Sequence, residues 1–124
     1  MGIDVYLEWD GMTEEEEEAQ YTGFDIFSGN VGYLREAYHG EPYATAELIQ
    51  EDWERQPEGG FRIPNAVLVE RLPEVMGASR LRAKQLYKAD KAEQERSAKS
   101  FSDFVALHGI KEREGKNPRI IVSY

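Results

Sequence analysis

From Ser79 to Lys111 the chain keeps one helical phase, and no other feature constrains the fold as strongly. Positions about 18 apart on an ideal helix are eclipsed after five turns. Ala83, Leu86 and Tyr87 therefore line up with Phe101, Phe104 and Val105. The phase predicts one continuous helix over 79–111, kinked near 97–100, where Ser100 and Asp103 give a weak capping signal. Two things resist this. Asp90, Gln94 and Ser97 interrupt the middle of the stripe. A helix of that length would also span about 50 Å, against the roughly 35 Å expected across a compact domain. A helix that overhangs its core would leave an apolar stripe for a second copy, so a homodimer through this helix is the expectation.

Both ends of the chain read as strands. Ile3, Val5, Leu7 and Trp9 alternate with Asp4, Tyr6 and Glu8, the pattern of a half-buried strand. Arg119 to Tyr124 follows Pro118 as a final apolar strand. Thr13 and Glu16 have capping-box spacing, so the acids of 14–18 form a solvated first helical turn. Residues 31–39 suit helix or strand equally. Thr45 predicts a cap for a helix over 46–55, and 61–63 a short strand. Asn65 predicts a cap for a short helix through Met76, disturbed at Pro73 and ended at Gly77. The fold class these elements predict is α+β: one small antiparallel or mixed sheet holding both terminal strands, packed on one face by helices, in a single domain over 1–124.

Charge is unevenly placed. The net charge is −9. Residues 1–58 hold 16 acids and two bases, Arg35 and Arg55, for −14; residues 59–124 hold 8 acids and 13 bases, for +5. Either the acidic half folds against the basic half, or an acidic surface faces a basic protein partner. A net acidic domain repels phosphates, which argues against nucleic acid. The basic stripe Arg80, Lys84, Lys88, Lys91 and Lys99 has no interleaved aromatic, and reads as solvation.

No segment has the pattern of a signal peptide or a membrane span, so a cytoplasmic location is the expectation. With no cysteine, the chain has no disulfide framework, cysteine nucleophile or thiolate metal site. Two histidines cannot make a histidine-rich metal site, and no EF-hand spacing occurs. Nucleophile-elbow, phosphate-loop, zinc-protease and dinucleotide motifs are missing. No metal, cofactor or catalytic residue is assigned.

The richest cluster is 33–43. Arg35 and His39 share a face whether the segment is helix or strand. Tyr38 joins them in a helix, Tyr33 in a strand, and Tyr43 follows. An arginine, a histidine and tyrosines on one face can hold an anionic ligand such as a nucleotide. Against this, an arginine among so many acids is expected in an internal ion pair, with Asp90 one candidate partner. His108, eclipsed with Asp90 on a continuous helix, is expected at the core edge. The leading expectation is a non-enzymatic interaction module of inhibitor or immunity type. The alternative is a small enzyme or sensor binding an anion through Arg35 and His39.

Overall fold

A computed structural model describes residues 2–21, 32–37 and 43–124. The elements run β1 (Gly2–Glu8), α1 (Glu14–Tyr21), β2 (Tyr33–Ala37), α2 (Ala44–Ile49), a 3-10 turn at Trp53–Arg55, α3 (Asn65–Tyr87), α4 (Lys91–Arg113) and β3 (Arg119–Ser123). The architecture is α+β, with a three-stranded antiparallel sheet in the order β2-β1-β3. Both terminal strands belong to it, with β1 at the centre. No helix among the described residues is long and apolar enough to cross a membrane.

The alternation of β1 decides the layers. Ile3, Val5, Leu7 and Trp9 are buried on the inner face. Cross-strand pairing adds Leu34 opposite Val5, and Ile120 and Val122 opposite Leu7 and Val5. The helices cover this face with Leu48, Ile49, Leu68, Val75, Phe101, Phe104 and Val105. The other face carries Asp4, Tyr6 and Glu8, with Tyr33 and Arg35 from β2 and Arg119 and Ile121 from β3 as neighbours.

Two glutamines extend the sheet where strands stop. The Leu7 N–H donates to Gln20 Oε1 at 3.2 Å, and Gln20 Nε2 donates to the Leu7 carbonyl at 3.0 Å. On the far edge of β3, the Val122 N–H donates to Gln56 Oε1 at 2.7 Å, and Gln56 Nε2 donates to its carbonyl at 3.1 Å. Phe61 makes an isolated bridge with Ile120 beside it, in place of the strand predicted over 61–63. Gly60 permits this approach: a Cβ there would lie 2.7 Å from the Ile120 carbonyl oxygen.

The single helix predicted over 79–111 is two helices. Lys88 takes the left-handed conformation, with φ of 51°. The N–H groups of Lys88 and Ala89 fold back onto the Ala83 carbonyl. Asp90 then opens α4, accepting from the Glu93 N–H at 2.9 Å. The chain reverses, so Ser79 and Ser97 meet at 2.5 Å between hydroxyls and Arg80 reaches Glu95 at 2.8 Å. Each helix of 23 residues spans about 35 Å, matching the domain. The stripe's polar middle is thus a cap and a hydroxyl pair, and the continuous helix from which a homodimer was expected is not the form the chain takes.

Other boundaries shift for equally local reasons. Helix α3 runs through Pro73 and Gly77, because Val69 and Pro73 face solvent while Leu68 and Val75 anchor the core side. Asn65 opens α3 without capping it; its side chain donates instead to the Val105 carbonyl at 2.9 Å. Thr45 lies buried inside α2, which ends at Ile49, and Asp52 caps the separate 3-10 turn. The undecided segment 31–39 is strand over 33–37. The capping box stands as predicted: the Glu16 N–H donates to Thr13 Oγ1, and the Thr13 N–H to Glu16 Oε1, both at 3.1 Å.

Candidate functional site

Tyr33 and Arg35 alternate with Leu34 and Glu36 along β2, so the strand sends its residues to two different places. On the outer face, Asp4 lies opposite Arg35 and Tyr6 opposite Tyr33. The Tyr33 hydroxyl donates to Asp4 Oδ1 at 2.5 Å. Arg35 Nη1 lies 3.7 Å from the same oxygen. The Tyr33 ring tilts against Tyr6 with centroids 5.0 Å apart. Burial, and then the Asp4 carboxylate, push the Tyr33 phenol well above its ordinary pKa. Arg35 is therefore paired across the sheet with Asp4, while Asp90 serves as the α4 cap.

On the inner face, Glu36 is the most heavily used side chain in the region. Its Oε2 accepts from the Ala44 N–H and its Oε1 from the Thr45 N–H, at 2.9 and 3.1 Å. These are orphan donors at the start of α2, where no side chain of the usual capping position helps. Arg82 Nε reaches Glu36 Oε2 at 2.9 Å, and Nη2 donates to the Ala37 carbonyl at 3.0 Å. The guanidinium also lies over the Tyr43 ring, 4.8 Å from its centroid. Tyr43 thus packs with Arg82, whereas Tyr33 and Arg35 gather on Asp4. Tyr38 and His39 lie outside the described residues.

The Glu36–Arg82 pair escaped the sequence reading. Its signal was positional: Arg82 adjoins Ala83 and follows Ser79 by one turn on the inward side of α3, and Glu36 follows Leu34 by two on the inward side of β2. A cavity of about 20 Å³ adjoins the pair, lined in part by Ser79, Ser97, Ser100 and Tyr87. Burial raises the pKa of Tyr87 there.

His108 sits at the other end of the helix pair, fully buried. Asn65 Nδ2 lies 3.2 Å from its Nδ1. The amide nitrogen is a donor, so Nδ1 accepts and the ring proton belongs on Nε2. Nε2 has no partner. Burial holds the His108 pKa below its ordinary value, with Glu112 opposing. This is a core histidine in its neutral form. Among the described residues, no group of three histidine or carboxylate side chains could hold a metal ion.

A second region lies between α1 and the outer face of the sheet, a groove of about 600 Å³. Its apolar lining includes Tyr6, Trp9, Met12 and Ile121, and its acids are Glu8, Asp10 and Glu17. Arg119 joins Glu8 and Asp10 at 3.5 and 2.8 Å. Behind it, Lys111 Nζ lies 4.7 Å over the Trp9 ring and 3.6 Å from Glu16. The Thr13 backbone N–H, with the lysine in support, holds the Glu16 carboxyl below the usual range. The sequence offered the acids and the aromatics separately, but not their meeting across β1 and α1.

No protein-family model, curated protein or solved structure matches this chain.

Proposed function

We propose that this chain is a non-enzymatic protein-interaction module that offers an acidic face to a basic protein partner. One observation carries the reading. Glu14, Glu15, Glu17 and Glu18 of α1 are exposed, and Glu8 and Asp10 stand exposed at the adjoining end of β1. The bases nearest them are engaged: Lys111 lies between Glu16 and Glu114, and Arg119 between Glu8 and Asp10. The acids of α1 beyond Glu16 thus project a negative field into solvent, which steers a basic partner and speeds its association.

The rival reading, an anionic ligand on Arg35 and His39, has less support. Arg35 stands beside the Asp4 carboxylate, which would repel an incoming anion. The test is capture from extracts of the source cells with the parent chain and a variant reversing Glu14, Glu15, Glu17 and Glu18 to lysine. The expected result is a basic protein held by the parent, released as salt rises and lost by the variant. Identical retention by both chains would overturn the proposal.

A further inference from the structure

We infer that the joint between the start of α3 and the end of α4 is an acid-sensitive latch, which closes on neutral His108 and opens when that ring takes a proton. This stands apart from the acidic-module reading and does not depend on it.

Three groups of α4 hold Asn65, the first residue of α3. The Val105 carbonyl accepts from Asn65 Nδ2 at 2.9 Å, and His108 Nδ1 lies 3.2 Å from the same nitrogen. Glu112 Oε2 accepts from the Asn65 backbone N–H at 2.9 Å. A carbonyl can only accept, so Val105 fixes which way the amide points. Turning the amide over would set oxygen against oxygen. The amide is also seated closely on α4: a Cβ at Gly109 would lie 2.7 Å from Asn65 Oδ1, an approach that glycine allows.

A donor is therefore pinned at His108 Nδ1. The neutral ring accepts it. An imidazolium would turn a second N–H toward that donor, while its Nε2–H stays buried without an acceptor. Glu112, one turn further along α4, is the charged group that acts on the ring, and it favours the proton. Across the joint, α3 presents the uncharged Asn65. Arg62, before α3, shares a surface hollow with Glu112 and adds only positive charge. Burial outweighs Glu112 and holds the ring's pKa below its ordinary value. The closed joint thus refuses a proton that an open one accepts. As pH falls below about 6.5, the ordinary histidine value, open and unfolded chains gain that proton first, so closure weakens with acid.

The test uses the full chain labelled with nitrogen-15, with ring-nitrogen NMR spectra recorded from pH 8 to 5. The chain has two histidines, and His39→Gln leaves the His108 signals alone. At neutral pH the proton should sit on Nε2, and the closed ring should stay neutral below about pH 6.5. On further acidification the ring and the Asn65 side-chain amide should change together. By urea denaturation of the His39→Gln chain, the folding equilibrium constant should approach a tenfold loss per pH unit below that value. His108→Asn, which has no group to titrate there, should remove most of this dependence. Asn65→Asp places an acceptor for the imidazolium and should reverse it: the ring's pKa rises, and the added stability is lost as pH climbs through the raised value. A proton on Nδ1, or a ring that titrates at the ordinary value in the folded chain, would overturn the latch. So would Asn65 signals that stay fixed while the ring titrates, or an undiminished acid loss in His108→Asn. The spectra of the His39→Gln chain decide the matter even where a His108 or Asn65 variant does not fold.

Discussion

A carboxylate and a guanidinium withdrawn from water are tolerated only where each finds partners on several sides. Glu36 and Arg82, with side chains 8 % and 7 % exposed, meet that condition through two α2 amides, the Ala37 carbonyl and the Tyr43 ring. Removing the cation strands Glu36 inside the protein. Arg82→Ala should therefore lower stability on the order of 3–5 kcal/mol, and Arg82→Lys should recover only part, since an ammonium lacks the planar fork. Arg35 and Asp4 are more open, at 29 % and 21 %, and 3.7 Å apart. Arg35→Ala should cost about 1 kcal/mol. Urea denaturation separates the two, and equal midpoints for both alanine variants would refute the assignment. Sequence reasoning drew attention to Arg35 because it is one of two bases among 16 acids. Arg35 is in an ion pair as expected, with Asp4; Arg82 stood among many bases and resembled surface charge, so composition did not single it out, and only its place on the inward side of α3 gave it away.

At the level of elements, the α3–α4 hairpin shows where periodicity misleads. Two antiparallel helices that bury their stripes against one sheet can hold a common phase in sequence, and a regular stripe does not reveal a reversal between them. The evidence for the break was local and lay in Asp90 with Glu93, a capping pair that reads equally well as two polar residues on a long helix. Lys88 hid the stop, since the left-handed position usually falls to glycine. The geometry makes an unusual prediction. Lys88→Gly should stabilise the protein by up to about 1 kcal/mol, because glycine adopts φ of 51° without strain. In a continuous helix the same change would destabilise by about 1 kcal/mol. Asp90→Ala, which removes the cap on the Glu93 N–H, should cost about 1 kcal/mol. Thermal melts of the two variants should thus move in opposite directions, and a lowered melting temperature for Lys88→Gly would contradict the hairpin.

Over the whole molecule, the acidic and basic halves of the sequence do meet. Among the described residues, Arg82, Lys111 and Arg119 reach back to Glu36, Glu16, Glu8 and Asp10. The terminal strands were legible from alternation and apolar content, and so was the α+β class. What closes the sheet was not, because Gln56 precedes a Pro- and Gly-bearing loop and carries no strand periodicity. Its side chain nevertheless takes both backbone groups of Val122, and Phe61 takes those of Ile120. An edge strand left bare is a template for another chain. Gln56→Val removes both side-chain bonds while adding a residue that favours strands. The loss of two hydrogen bonds should lower stability by roughly 1–3 kcal/mol, and the Val122 edge should become an acceptor for a second copy. The net charge of −9 opposes that encounter, so association should strengthen with salt, as screening removes the repulsion between copies. Sedimentation velocity at low and high salt reads this directly. The variant should show a heavier species that grows with salt and concentration beyond anything the parent shows under the same conditions. If it sediments as the parent does throughout, Gln56 is a fastening of the 3-10 turn to the sheet and not a guard on its edge.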